Sequence, residues 1–96
     1  MFVAAEDFDD VKLSLDKRLI KRPAATFFMK AAGGSPEAGI SDGDLLIVDR
    51  AEPPAPGKVV VAAVRGELVT RRLPAGWRED DGLEVWGVVL WTVRAP

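Results

Sequence analysis

The 96-residue sequence contains no cysteine and no histidine. Without these residue types the chain has no disulfides, lacks the usual zinc ligands, and cannot pair a serine or a cysteine with a histidine base. We therefore expect no metal ion and no cofactor. Any hydrolysis by this chain would have to use hydroxyl groups, carboxylates or a lysine.

The sequence also lacks long apolar runs and an excess of basic residues. No run approaches the roughly 20 apolar residues that span a bilayer, and no basic segment precedes an apolar one as in a secretory signal. We therefore expect a cytoplasmic protein without membrane contact. The net charge of −2 argues against tight DNA binding by the chain alone, because nucleic-acid-binding domains normally carry a basic excess.

Glycine and proline are abundant, with 9 and 7 residues set between valine-rich runs. This composition predicts one small, mostly-β domain rather than a helical bundle. We expect residues 1 to 12 to form a flexible acidic arm and residues 13 to 96 to form the domain. Ser14 and Pro23 flank a basic amphipathic segment, which predicts one short helix over residues 15 to 22.

Five segments rich in β-forming residues follow the predicted helix. The predicted strands are residues 26–32, 45–50, 58–65, 68–73 and 83–94. We expect Gly66 and Glu67 to form the hairpin turn between the third and fourth strands.

The last predicted strand is apolar on both of its faces. We expect one face to hold Leu83, Val85, Val89 and Trp91, and the other to hold Trp86, Val88 and Leu90. Because a strand buried on both faces needs two packing partners, we predict a homodimer through the strand from Leu83 to Val93.

The strongest local signal lies between Lys30 and Arg50, where the sequence reads KAAGGSPEAGISDGDLLIVDR. A strand ends at two glycines and Ser35 follows on a turn. Small neighbours allow a substrate backbone to approach, and turn amides can form an oxyanion hole, so Ser35 is a candidate nucleophile. A purely turn-forming role for this serine, which precedes a proline, is the alternative.

Two other sets of residues have a structural interpretation that we favour. Three aspartates could ligate a cation but are typical of turns, and three tryptophans could stack on bases but belong mainly to apolar segments. These residues are Asp42, Asp44, Asp49, Trp77, Trp86 and Trp91.

The Lys30 to Arg50 segment resembles the LexA, UmuD and phage-repressor family of self-cleaving serine-lysine peptidases. In that family a strand leads into Gly-Asp-Ser-Met and then Gly-Ile-x-Asp-Gly-Asp, and the matching residues here read GGSP and GISDGDLLIVD. LDKRLIKRPAATFFMKA, KVVVAAVRGELVTRRL and LEVWGVVLWTV extend the likeness over residues 13 to 93, closest to the processed UmuD core. The resemblance implies a LexA C-terminal-domain-like fold of the β-clip type with one short N-terminal helix.

The resemblance places Ser35 at the nucleophile position and Arg71 at the position of the general-base lysine. An arginine offers only hydrogen-bond donors because its guanidinium stays protonated, so it cannot serve as the base. Gly34 and Pro36 replace the motif's Asp and Met. We therefore expect a vestigial site and a pseudo-enzyme.

The resemblance implies a UmuD-like accessory protein of the SOS DNA-damage response that binds an error-prone Y-family polymerase and the RecA filament. The family's Ala-Gly or Cys-Gly cleavage pair is absent from residues 1 to 12, so we expect a processed-like form that needs no self-cleavage. Two alternatives remain open. One is an active self-peptidase with an unusual base, and the other is a dimerisation or inhibitory partner of full-length relatives.

Overall fold

The computed structural model describes residues 18 to 96, and these residues form one antiparallel sheet of five strands. The strands are β1 (Thr26–Lys30), β2 (Leu45–Asp49), β3 (Val59–Val64), β4 (Glu67–Arg72) and β5 (Glu84–Val93). Two single-turn 3-10 helices lie before and after β1, at Pro23–Ala25 and Pro36–Ala38. The mostly-β prediction is confirmed, and each strand lies within two residues of its predicted bounds.

The β3–β4 hairpin turn is Arg65-Gly66, so the predicted Gly66-Glu67 turn is wrong by one residue. Arg65 has φ 51 and Gly66 has φ 80. Positive φ at both central residues is what a two-residue hairpin of type I′ requires, because its twist matches that of the flanking strands. Glu67 is consequently the first residue of β4, paired with Val64.

Most of the predicted helix and the whole predicted acidic arm lie outside the described residues. Arg18 and Leu19 are helical, and Leu19 is the last helical residue, three residues before the predicted end at residue 22. The residue before a proline is disfavoured in the α region, and Arg22 accordingly has φ −134 and ψ 88. Pro23 therefore opens a separate 3-10 turn instead of closing the helix.

The longest strand, β5, lies at the centre of a sheet with the order β1-β2-β5-β3-β4. Its first half pairs with β3 and its second half pairs with β2. This placement leaves β1 and β4 as the two edge strands.

The sheet carries a hydrophobic cluster on each face, because side chains alternate along each strand. Along β3, Val61 belongs to one cluster, whereas Val60 and Ala62 belong to the other. The first cluster is Ala31, Ala38, Ile40, Leu46, Val48 and Val61. The second is Val60, Ala62, Leu73 and Val88, with Trp77, Leu83, Val85 and Leu90 packed against it.

The predicted division of β5 into two faces is partly wrong. Val85 packs in the same cluster as Val88 and Leu90, whereas Val89 packs in the other cluster. The register of β5 shifts once against β3 and once against β2, and each such bulge reverses the alternation of the residues beyond it. Between residues 18 and 96 there is no helix long and apolar enough to span a bilayer.

Candidate functional site

Ser35 begins a short closed loop between β1 and β2. Its backbone N–H donates to the carbonyl of Ile40 at 2.8 Å, and the N–H of Ile40 donates back to the Ser35 carbonyl at 3.1 Å. The Pro36–Ala38 turn lies between them and ends at Gly39, whose φ of 74 favours glycine. Ala38 and Ile40 are buried in the first cluster, so they anchor the loop to the sheet.

The hydroxyl of Ser35 points toward the edge strand β4. Its Oγ lies 3.3 Å from the carbonyl oxygen of Thr70 and 3.4 Å from Oε1 of Glu37. A hydroxyl has one proton, so it donates to one of these acceptors at a time, and both distances are long for such bonds. The fold thus brings Ser35 to the strand position immediately before Arg71.

Arg71 itself is exposed, and it makes no side-chain hydrogen bond with Ser35 in residues 18 to 96. Arg71 pairs with Val60 and Thr70 pairs with Val61, so by alternation the two β4 side chains lie on opposite faces. Thr70 shares the face of the first cluster, to which the Ser35 loop is anchored. The roles assigned to Ser35 and Arg71 remain predictions.

The backbone donors at Ser35 and Pro36 are not free for an oxyanion. The Ser35 N–H is already bonded to Ile40, and a proline has no N–H at all. An oxyanion hole needs donors aimed at the developing charge, and the amide after a nucleophilic serine is a common one. The loop therefore offers no donor at either of these two positions.

A cleft of about 340 Å³ lies beside Ser35, between the end of β1 and the edge strand β4. Its lining residues are Met29 to Ser35, Leu46, Val61 and Leu68 to Thr70. Lys30 lines the cleft but is exposed, whereas a lysine base needs burial to favour its neutral form. The cleft contains no buried amine among its lining residues.

The side chain of Arg72 supports the Ser35 loop, a role that the sequence did not indicate. Its Nε donates to the carbonyl of Glu37 at 3.2 Å and its Nη1 donates to the carbonyl of Gly57 at 2.8 Å. The contacts bridge 35 and 15 residues of sequence, and no local pattern indicates such pairs.

The three candidate cation-binding aspartates all accept hydrogen bonds from the chain itself. Asp42 accepts from a glycine amide at 2.7 Å, Asp44 accepts from Arg94, and Asp49 accepts from Arg22 at 2.6 Å. In the part of the chain that the structure describes, no group of three such ligands could hold a metal ion.

Glu52 joins the segment before β1 to the loop after β2. It accepts from Lys58 Nζ at 3.0 Å and from Arg22 Nη1 at 3.1 Å. These cations, Lys58 first, lower the pKa of the Glu52 carboxyl to about 2.

Four exposed apolar side chains form what we call the outer apolar patch: Phe28, Leu45, Trp91 and Val93. They share one face of the sheet, because Leu45 lies opposite Val93 while Phe28 and Trp91 both lie opposite Ile47. Val88 is buried in the domain's own second cluster. The apolar pattern of β5 is therefore explained in part within a single chain, and its exposed apolar side chains are Trp86 near the start of the strand and Trp91 and Val93 at its end.

Comparison with known proteins identifies similar sequences. The family model described as Peptidase S24-like matches residues 2 to 85. Protein ImpA of Salmonella typhimurium is 49% identical over 70 residues, which cover 72% of this chain and 48% of ImpA. Protein MucA of Escherichia coli is 31% identical over 103 residues, covering 88% of this chain and 70% of MucA. The LexA repressor of Acidithiobacillus ferrooxidans is 38% identical over 85 residues, covering 85% of this chain and 38% of the repressor.

The chain belongs to the Peptidase S24-like family. The predicted resemblance to the LexA and UmuD proteins is thereby confirmed, and within that family the chain is UmuD-like. The five-stranded sheet is the predicted LexA C-terminal-domain-like fold. The chain spans about half the length of the curated ImpA relatives that it matches.

Proposed function

We propose that the chain is a UmuD-like accessory protein of the SOS DNA-damage response. It acts as a homodimer that binds an error-prone Y-family DNA polymerase and RecA in the cytoplasm, without self-cleavage and without tight DNA binding of its own. The observation that carries the non-catalytic part of the proposal is the Ser35 loop, in which the Ser35 N–H is occupied and residue 36 has none.

Two further observations support the absence of self-cleavage. An arginine occupies the position at which the family carries its lysine base, and a guanidinium does not give up its proton near neutral pH. Lys30, the lysine that lines the cleft, is exposed. The hydroxyl of Ser35 therefore lacks the lysine base of the family, and general-base catalysis contributes about 10² to 10⁴ in rate.

The outer apolar patch supports the homodimer. Phe28 and Trp91 are 56% and 43% exposed, and large aromatic side chains of this kind are enriched at protein interfaces. The patch lies at the end of the strand for which the homodimer was predicted, Leu83 to Val93. We therefore assign the dimer contact to the Trp91 and Val93 end of β5, with β1 and β2 contributing Phe28 and Leu45.

The test of the function is capture from DNA-damaged bacterial cells with the tagged chain as bait, followed by mass spectrometry. We expect enrichment of a Y-family polymerase and of RecA over a tagged bait of unrelated fold, and then binding of both by purified proteins. Recovery of full-length relatives alone would instead support the mixed-dimer alternative. Absence of both partners from the captured set and from the purified binding assay would contradict the proposal.

A further inference from the structure

The guanidinium of Arg94 forms a bidentate hydrogen bond with the carboxylate of Asp44. Its Nε donates to Oδ1 of Asp44 at 2.8 Å and its Nη2 donates to Oδ2 at 2.6 Å. Such paired bonds between guanidinium and carboxylate are the strong, directional kind. Asp44 is 2% exposed, so the carboxylate depends on partners within the chain.

The same arginine reaches a second point of the Ser35 loop. Its Nη2 also donates to the carbonyl of Gly39 at 3.1 Å. Thr92 adds a hydroxyl donor to Asp44 at 2.9 Å, and the backbone N–H of Ser41 adds another at 2.9 Å. The end of β5 is thus bound to the loop at Gly39 and at Asp44, 55 and 50 residues away in the sequence.

The loop is bound to β4 by the Arg72 Nε bond to the Glu37 carbonyl at 3.2 Å, whereas the contact of Ser35 itself with β4 is weak. The Ser35 hydroxyl lies 3.3 Å from the Thr70 carbonyl, a distance at which a small displacement of the loop breaks the bond. The position of Ser35 relative to β4 therefore depends on what holds the rest of the loop, which is Arg72 on the side of β4 and Arg94 on the side of β5.

We propose that Arg94 is a positioning residue that holds the Ser35 loop against β4. It acts through Asp44 and Gly39 and does not touch the Ser35 side chain. Because Arg94 and Thr92 alternate with Trp91 and Val93, the loop is tied to the strand segment that carries half of the outer apolar patch. This inference stands whether or not the proposed function is correct.

The absence of cysteine from the chain makes a direct test possible. A Ser35→Cys background places a single thiol at the loop, and its rate of labelling by N-ethylmaleimide is measured from pH 6.5 to 8.5. The pH series separates a change in thiol access from a change in thiol pKa. Hydrogen exchange of the Val60 to Ala62 amides reports in parallel whether the sheet remains folded.

Arg94→Ala is compared with Arg94→Lys and with Arg78→Ala in this background. Arg78 is exposed and contributes its backbone N–H, not its side chain, to the bond with Asp81. We expect Arg94→Ala to raise the labelling rate about tenfold at every pH, the scale set by losing charge-assisted hydrogen bonds. Arg94→Lys keeps the charge but not the paired geometry, so its rate should fall between those of Arg94→Ala and Arg78→Ala.

The proposal is overturned if Arg94→Ala and Arg78→Ala label at the same rate while the Val60 to Ala62 amides stay protected. If Arg94→Ala unfolds the whole sheet, the labelling rate of Arg94→Lys tests the proposal instead. Faster labelling of that variant with protected β3 amides supports the positioning role, and labelling at the unsubstituted rate overturns it.

Discussion

The hydroxyl of Ser35 lies 3.3 Å from the carbonyl oxygen of Thr70, the residue immediately before Arg71. Two residues 35 positions apart in the sequence therefore meet next to Arg71, the residue that we predict to occupy the place of the family's base. By strand alternation the Arg71 side chain lies on the face of the sheet opposite Thr70, and residue 36 is a proline without an N–H.

We expect the chain to show no serine peptidase activity, and Arg71→Lys alone to restore little. Pro36 still lacks an N–H, and the Ser35 N–H stays bonded to Ile40. Arg71→Lys combined with Pro36→Met should give at most weak cleavage of a family cleavage-site peptide, because the added amide can contribute about 3 kcal/mol as an oxyanion donor.

The assay for this prediction is incubation with the peptide at alkaline pH, where a lysine base is neutral, followed by mass spectrometry. Ser35→Ala is the control for contaminating peptidases. Cleavage by the unsubstituted chain that disappears in Ser35→Ala would show that another base serves Ser35.

Two matched substitutions on β5 test the homodimer prediction. Trp91 and Trp86 are 43% and 45% exposed, but only Trp91 lies in the outer apolar patch. Trp91→Glu should give a monomer at tens of micromolar, because a buried unpaired carboxylate costs several kcal/mol at an interface. Trp86→Glu should leave the dimer intact.

Light scattering distinguishes these outcomes, and a monomer mass for the unsubstituted chain would refute the dimer. Val88→Glu is not a test of the interface. Val88 is 2% exposed inside the second cluster, so a carboxylate there would unfold the single chain.

Gly87→Ala should destabilise the domain. A Cβ at this position would lie 2.6 Å from Cγ1 of Val48 and 3.2 Å from the carbonyl oxygen of Asp49, where β5 crosses the core. We expect a loss of about 1 to 3 kcal/mol in the free energy of unfolding, the usual cost of overpacking. Urea denaturation measures it, with Gly76→Ala as the control because nothing lies within 4 Å of a Cβ there. Equal stabilities of the two variants would contradict the close packing at Gly87.

Acid should destabilise the fold through Glu52. Lys58 and Arg22 lower its pKa from 4.5 to about 2, so the folded state holds this carboxyl ionised more strongly than the unfolded state does. The resulting stability is present above pH 4.5 and is lost as the pH falls through about 2. We expect Tm to fall over this range, and to fall less steeply in Glu52→Gln. If Tm falls with pH as steeply in Glu52→Gln as in the unsubstituted chain, Glu52 does not contribute to the acid destabilisation.

Much of the fold follows from local pattern. Strand positions were predicted within two residues because alternating β-branched residues bounded by glycine and proline are a short-range signal. The Ser35 turn was likewise visible from GGSP and GISDGD. The hairpin turn was displaced by one residue, because its glycine occupies the second rather than the first positive-φ position.

The faces of β5 could not be predicted from alternation. Two register shifts, one against each neighbouring strand, depend on the pairing partners and reverse the pattern along β5. The early end of the helix could not be predicted from local pattern either. Just beyond that end, Arg22 binds Asp49, which lies 27 residues further along the chain.

The sequence by itself determined the strand segments, the turn that carries Ser35, and the family, and it predicts that Arg71 occupies the position of the lysine base. Only the tertiary structure decided that β5 lies at the centre of the sheet, that Thr70 meets Ser35, and that Arg94 holds the Ser35 loop through Asp44. The physical reason is the distance along the chain over which each effect acts. Strand propensity and turn conformation act over a few residues, whereas strand order and buried ion pairs arise when segments far apart in the chain bury their surfaces together.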